Sequence, residues 1–211
     1  VLGVDLGTTG VRIAVLDLAG QLIHTKAQHY QNGLEVTEDW KECCEYLIRS
    51  LPKSISKHLV AMAVAGTSGT LVACNKEGTP LDKAIPYHES CIEQKEALYQ
   101  LILDGEDATN PHNSVARALR LISVHGPKIL IRHQSDWITG WLIGDWRWGE
   151  EGNNLRLGWD IVKKSWPTTF TSQSWRSALP EIIESGNVFG TLSKELSQTL
   201  KLPHNLIVVA G

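Results

Sequence analysis

The chain has 211 residues, with 20 Lys and Arg against 23 Asp and Glu, giving a formal charge of −3, and 42% hydrophobic residues. That length suits one large domain or two small ones. The lack of a basic excess or of any Lys/Arg run argues against nucleic acid or an anionic membrane surface as the main partner. No apolar run reaches the length of a membrane span, and no charged-then-apolar signal segment opens the chain.

Cys43, Cys44, Cys74 and Cys91 show neither C-x-x-C spacing nor a dense framework, so they read as small buried residues of a reducing compartment. The eight histidines show no H-x-H or H-x-x-x-H spacing, and no metal is assigned to them. Most of the eight tryptophans fall between Trp137 and Trp175, as a packed aromatic subregion or a carbohydrate-facing wall. Nothing in the composition speaks to oligomeric state.

In chain order, Val1, Leu2 and Val4 form a short apolar strand that runs into Asp5. Gly7-Thr8-Thr9-Gly10 breaks it, and Val11–Asp17 and Gln21–Gln28 continue an antiparallel meander. The turn offers backbone N–H groups and two hydroxyls beside one carboxylate, a concavity suited to an anion. An aspartate alone would repel phosphate, so its position points to Mg2+ bridging the two, with Arg12 adding a guanidinium contact. The stretch has neither the Walker G-K-[ST] nor G-x-G-x-x-G, and a strand follows it rather than a helix.

Tyr30–Val36 is a polar connection. Asp39 is the expected N-cap of a helix, with Glu42 three residues on. Trp40, Cys43, Cys44, Leu47, Ile48 and Leu51 share one helical face, and Pro52 ends the helix. Leu59–Ala65 reads as a strand buried on both faces. It ends in Gly66-Thr67-Ser68-Gly69-Thr70, and Leu71–Cys74 is a further strand. Ligands in open α/β sheets lie beyond strand carboxyl ends, which places Thr67, Ser68 and Thr70 in the same class of position as Asp5. The other reading of this loop is a Ser/Thr turn that satisfies its own backbone.

Cys91–Leu103 is a predicted helix closing at Asp104-Gly105, and Asn110–Asn113 is a turn. A helix through Val115, Ala118, Leu119 and Ile122 stops at Gly126-Pro127. Ser135 is the expected cap of a third helix carrying Ile138, Trp141 and Leu142, ended by Gly144-Asp145. Ser174 is read as capping a short helix interrupted by Pro180. Leu206–Gly211 is a buried-type strand cut at its carboxyl end. The opening on Val1, already in a strand, and this ending both lead us to expect a piece of a longer protein.

Asp5-Leu6-Gly7-Thr8-Thr9-Gly10-Val11-Arg12 resembles the first phosphate motif of the actin/hexokinase/Hsp70 superfamily. Over essentially all 211 residues the chain is similar to the N-terminal domain of the FGGY carbohydrate kinases, most of all to the cyanobacterial and plant xylulose-kinase-like group, whose members resemble ribulose kinases. The resemblance implies an α/β, ribonuclease H-like mixed sheet flanked by helices. Residues 1–211 would be the sugar-binding domain, with a helical insertion over roughly 88–175. A nucleotide-binding C-terminal domain and the catalytic aspartate would lie past Gly211.

The resemblance further implies ATP and Mg2+ as cofactors and phosphorylation of a hydroxyl of a small sugar, a ketopentose such as ribulose or xylulose. Asp5 would hold Mg2+, directly or through water. Gly7, Thr8, Thr9, Gly10 and Arg12 would cradle phosphate. Thr67, Ser68, Glu89, Asn153 and Asn154 would face the sugar. Many family members carry Asn-Asp where this chain has His88-Glu89. Either the pocket is shifted, or Glu89 simply occupies the first turn of the next helix. The loop amides of Asn153 and Asn154 equally suit their own turn. The compartment implied is the cytoplasm, or the stroma of a plastid in a plant. The fragment alone is expected to be inactive. Two other readings stay open, a non-catalytic sugar-binding or regulatory module and a different actin-like ATPase.

Overall fold

The computed structural model describes residues 1–101 and 110–211; the predicted helix end at Asp104-Gly105 lies outside them. In chain order the elements are β1 (Leu2–Leu6), β2 (Gly10–Leu16), β3 (Leu22–His29), α1 (Thr37–Arg49), α2 (Lys53–Ser56), β4 (Ala61–Gly66) and β5 (Leu71–Cys74). There follow α3 (Lys95–Gln100), α4 (Ser114–His125), β6 (Leu130–His133), α5 (Gln134–Ile143), β7 (Trp148–Glu150), α6 (Glu151–Leu155) and α7 (Thr168–Thr171). Last come β8 (Glu181–Ile183), β9 (Val188–Thr191), α8 (Lys194–Leu200) and β10 (Ile207–Ala210). No described helix is long and apolar enough to cross a membrane.

The main sheet has six strands in the order β3-β2-β1-β4-β10-β9. β1 pairs antiparallel with β2 and parallel with β4; β10 pairs parallel with β4 and antiparallel with β9. Alternation along the strands sends Leu2, Val4, Leu6, Ile13, Met62 and Val64 to one buried face. Helices α1 and α5 cover that face. The opposite face carries Gly3, Asp5, Ala63 and Ala65 and stays partly open. β4 is therefore not covered on both sides, as its run of apolar residues suggested. Alanine and valine alternate there, and the small residues fall on the open face.

Two small sheets stand apart. β5 pairs antiparallel with β6, and β7 pairs parallel with β8. Leu71–Cys74 is thus a strand as expected, but outside the main sheet. The region expected to be mostly helical contains β6 and β7. These strands are four and three residues long, too short to show a period. The expected helix from Cys91 is shorter, a 3-10 turn over Ile92–Gln94 leading into α3.

Several caps also differ. α1 begins two residues before Asp39, after Val36. Asp39 instead accepts from the backbone N–H of Asn32 (2.6 Å) and from its side-chain amide (2.8 Å), which fixes the approach to the helix. Ser135 lies inside α5, whose cap position is His133. The short helix expected after Ser174 is a 3-10 turn over Arg176–Ala178, whose cap position is Trp175 rather than Ser174. Asn113, Glu150 and Ser193 are the residues whose side chains cap α4, α6 and α8.

Two hydrophobic clusters result. One lies under the main sheet with Trp40, Leu47 and Trp137; the other joins Leu71 and Ile131 to α3, α4, Phe170 and Trp175. Trp146 packs against the first of them. Its ring fills a slot left by two glycines: a Cβ on Gly78 would lie 2.0 Å from it, and one on Gly140 2.4 Å. The Trp146 indole N–H donates to the Trp137 carbonyl (3.1 Å), and that of Trp137 to the Gly78 carbonyl (2.9 Å). The tryptophan-rich stretch is chiefly packing. All four cysteines are buried and unpaired.

Candidate active site

The β1–β2 hairpin puts Asp5 opposite Arg12, and the Gly7 N–H closes the turn on the Gly10 carbonyl at 2.9 Å. Glycine is required at position 10, because a Cβ would lie 2.2 Å from the Gln28 carbonyl oxygen of β3. Thr8 and Thr9 are exposed, and their hydroxyls have no partner among the described residues. Arg12 donates through Nε (3.0 Å) and Nη2 (2.5 Å) to the same oxygen of Asp5, Oδ2. Oδ1 has no partner among the described residues, and the carboxylate is half-exposed. Arg12 therefore rests on Asp5 rather than reaching over the turn.

The second loop follows β4. Parallel pairing aligns Leu6 with Gly66, and the Thr67 N–H donates to the Leu6 carbonyl at 3.0 Å. The two loops so emerge side by side from one edge of the sheet. Tyr30 and Gln134 link them further. The Tyr30 hydroxyl donates to the Gly7 carbonyl (3.2 Å), and the Gln134 amide donates to that hydroxyl (3.2 Å). The Gln134 carbonyl oxygen accepts from the Thr67 N–H (3.1 Å) and from the Thr67 hydroxyl. Burial drives the Tyr30 pKa above its usual value, so the phenol stays a donor.

Beyond Thr67 the loop is anchored from elsewhere in the chain. Gly69 has φ +92°, which favours glycine. Its N–H donates to His133 Nδ1 (3.2 Å), and its carbonyl accepts from Arg117 Nε (2.9 Å). Accepting at Nδ1 leaves the His133 proton on Nε2, which is buried without a partner. Burial, assisted by the charges of Arg117 and Arg132, lowers the His133 pKa to about 3. The Thr70 hydroxyl is buried and accepts from the Tyr87 N–H at 3.2 Å. Ser68 lines a cavity of about 800 Å3 together with Tyr87, Arg117 and Trp166.

Three expected sugar-facing residues lie elsewhere. Glu89 is in no helical turn; Arg120 Nη1 donates to its carboxylate at 2.6 Å, and it lines a separate depression from Ser68. The Asn153 side chain donates to Ser135 Oγ (2.8 Å). Asn154 is 1% exposed and donates to Asp136 Oδ2 (3.0 Å) and to the Glu150 carbonyl (2.8 Å), an internal brace rather than a ligand contact. Burial raises the Asp136 pKa to about 7. Tyr30, Arg117 and Gln134 were missed by the sequence reading. Tyr30 follows β3, Arg117 lies within α4 and Gln134 opens α5, and no spacing signal marks any of them.

Among the described residues, no group of three or more His, Cys, Asp or Glu side chains could hold a metal. Mg2+ does not need one; it binds through one or two carboxylates, waters and substrate phosphate. Asp5, half-exposed with Oδ1 unpartnered among the described residues, offers one such carboxylate; it lies on the open sheet face beside Arg12, in a different depression from Ser68.

No protein-family model matches this chain. It is 26% identical to the xylulose kinase of Lactococcus lactis over 235 aligned residues, covering all of this chain and 46% of that protein. It is 23% identical to the xylulose kinase of Klebsiella pneumoniae, covering 47% of it. The crystal structure of xylulose kinase from Rhodospirillum rubrum superimposes with a TM-score of 0.84 at 19% identity, over all of this chain and 49% of that one. The chain thus spans about half the length of the curated relatives it matches. Its α/β fold is the one seen in that part of the Rhodospirillum rubrum structure. Over its whole length the chain is thus similar to about half of each of these xylulose kinases, in sequence and in fold.

Proposed function

We propose that this chain is the sugar-binding part of an ATP-dependent kinase that phosphorylates a hydroxyl of a small sugar, a ketopentose. The observation that carries this reading is the adjacency of two loops at one sheet edge. The Gly7–Gly10 turn brings a carboxylate and open hydroxyls, and the Gly66–Thr70 loop brings Ser68 to a cavity. Phosphoryl transfer asks a protein chiefly for alignment and charge neutralisation.

In this proposal Asp5 Oδ1 holds Mg2+, directly or through water, and the Thr8 and Thr9 N–H and hydroxyl groups receive phosphate oxygens. Mg2+, when bound with ATP, would offset the negative charge of the phosphates. Arg12 holds the Asp5 carboxylate in place. Ser68 donates to or accepts from a sugar hydroxyl, while Thr67, tied to Gln134, sets the loop rather than the ligand. The base for the sugar hydroxyl is assigned to the part of the relatives' length that this chain does not span. The nucleotide-binding domain is assigned there too. Four unpaired cysteines support a reducing, cytoplasmic setting.

Calorimetric titration of the chain with D-xylulose and D-ribulose, alongside a coupled ADP-release assay, tests the proposal. Expected are ketopentose binding weakened by Ser68→Ala and no turnover. Absence of ketopentose binding overturns the sugar reading. Turnover comparable to an intact kinase overturns the assignment of the base. The pairing of Glu89 with Arg120 favours a second reading, a sugar-binding module without catalysis. Reconstitution with the remaining half separates the two, because a kinase then consumes ATP in a Mg2+-dependent way.

A further inference from the structure

The cavity beside Ser68 is one-sided in charge. Arg117, Arg156 and Lys163 line it against one carboxylate, Asp160. Asp160 is already occupied: it pairs with Lys163 at 3.3 Å and accepts from the backbone N–H groups of Val162 and Lys163. Neither guanidinium has a carboxylate within salt-bridge distance among the described residues.

Arg117 is 3% exposed. It donates to the carbonyls of Gly69 (2.9 Å), Glu89 (3.0 Å) and His112 (2.8 Å) and to Ser114 Oγ (3.2 Å). All four acceptors are neutral, and one of its five N–H donors, on Nη2, remains. Burial lowers its pKa, and the positive charge of Arg156 acts in the same direction, against Cys91 and Glu89. The Arg156 side chain has no hydrogen bond or ion pair among the described residues. Thr169, on the same wall, has a buried hydroxyl without a partner. Two like charges beside one cavity, one of them buried, gain most from an anion placed against both.

We propose that this cavity binds the anionic group of a small polyhydroxylated molecule, a carboxylate or phosphate borne by a sugar, against the guanidinium groups of Arg117 and Arg156. The Thr169 and Ser68 hydroxyls then receive the ligand's hydroxyls. The inference deepens the sugar-binding reading and rests on it for Ser68 as a shared wall.

Calorimetry on the full chain tests it, with D-gluconate as the carboxylate, a pentulose 5-phosphate as the phosphate, D-xylulose as the neutral sugar and inorganic phosphate as the bare anion. One or both charged sugars should bind at least about tenfold more tightly than inorganic phosphate, and salt raised to roughly 0.5 M should weaken them. Whichever charged sugar binds identifies the anion. Arg156 is exposed and its side chain makes no hydrogen bond or ion pair among the described residues, so Arg156→Ala should fold. It should weaken the charged sugars at least about tenfold and leave D-xylulose unchanged, while Arg156→Lys should restore part of the loss. The proposal is overturned if neither charged sugar binds, or if Arg156→Ala leaves their affinity less than about threefold changed. Loss of D-xylulose binding alone would instead count against the sugar-kinase reading.

Discussion

The turn after β1 and the loop after β4 stand side by side, yet they are held by opposite means. The Asp5–Arg12 hairpin is closed mainly by residues within eight positions of one another, with Tyr30 bracing Gly7 and Thr9, and its ion pair is largely exposed. The Gly66–Thr70 loop is held by Arg117, His133 and Gln134, about 50 to 65 positions further along, and those groups are buried. Exposed pairs contribute little and buried, satisfied groups are costly to disturb. The turn can thus be specified largely locally, whereas the loop beside it depends on the second cluster having folded.

The largest effect should come from Arg117. Arg117→Ala leaves the carbonyls of Gly69, Glu89 and His112 unmet and should cost about 3–5 kcal/mol in urea unfolding. A cost under about 1 kcal/mol would mean the loop holds its own shape.

Next is pH. The fold keeps His133 neutral down to about pH 3, against an ordinary 6.5, so the unfolded chain binds the extra proton in that window and stability falls as pH falls. The fold keeps Asp136 protonated up to about pH 7, against an ordinary 3.8, so stability falls as pH rises through that window. The two slopes oppose each other where they overlap. His133→Asn keeps an acceptor for the Gly69 N–H and removes the first slope. Relative to the unaltered chain, it should then lose about 1.4 kcal/mol per pH unit on going from about pH 4.5 to 6.5. Parallel stability curves for the two proteins would refute this opposition.

Smaller again is Gln134→Ala, which cuts the tie between Tyr30 and Thr67. It should cost about 1–2 kcal/mol in stability and, on the kinase reading, weaken ketopentose binding about tenfold. Smallest is Arg12→Ala, at about 0–1 kcal/mol in thermal unfolding, because both partners face solvent. A larger loss there would show that the hairpin, too, leans on something distant.

The same contrast explains what could be read from the residues in order. The meander, α1's buried face and the final strand all advertise themselves through period and punctuation, and the structure has them within a residue or two. The turn Gly7–Gly10 is local as well, and so is the placement of Thr67 beside it by strand pairing. β6, β7 and β8 are too short to carry a period. Asp39 and Ser135 were read as caps because their types suit the role, but Asp39 braces Asn32 and Ser135 accepts from Asn153. Arg117, Tyr30 and Gln134 gain their meaning only when distant elements meet. No local pattern could mark them.

The indole of Trp146, lodged between Gly78 and Gly140, pins the turn after β5 to α5 within the cluster under the main sheet. Arg132 of β6 grips its carbonyl from one side, and Trp137 accepts its N–H from the other. Neither cluster can loosen without baring a face of the β5–β6 pair, whose Val72 and Cys74 pack into one and whose Leu71, Ala73 and Ile131 pack into the other. Two cores built from separate sheets should consequently melt as a single cooperative unit, giving one sigmoid in calorimetry where the topology alone would suggest two.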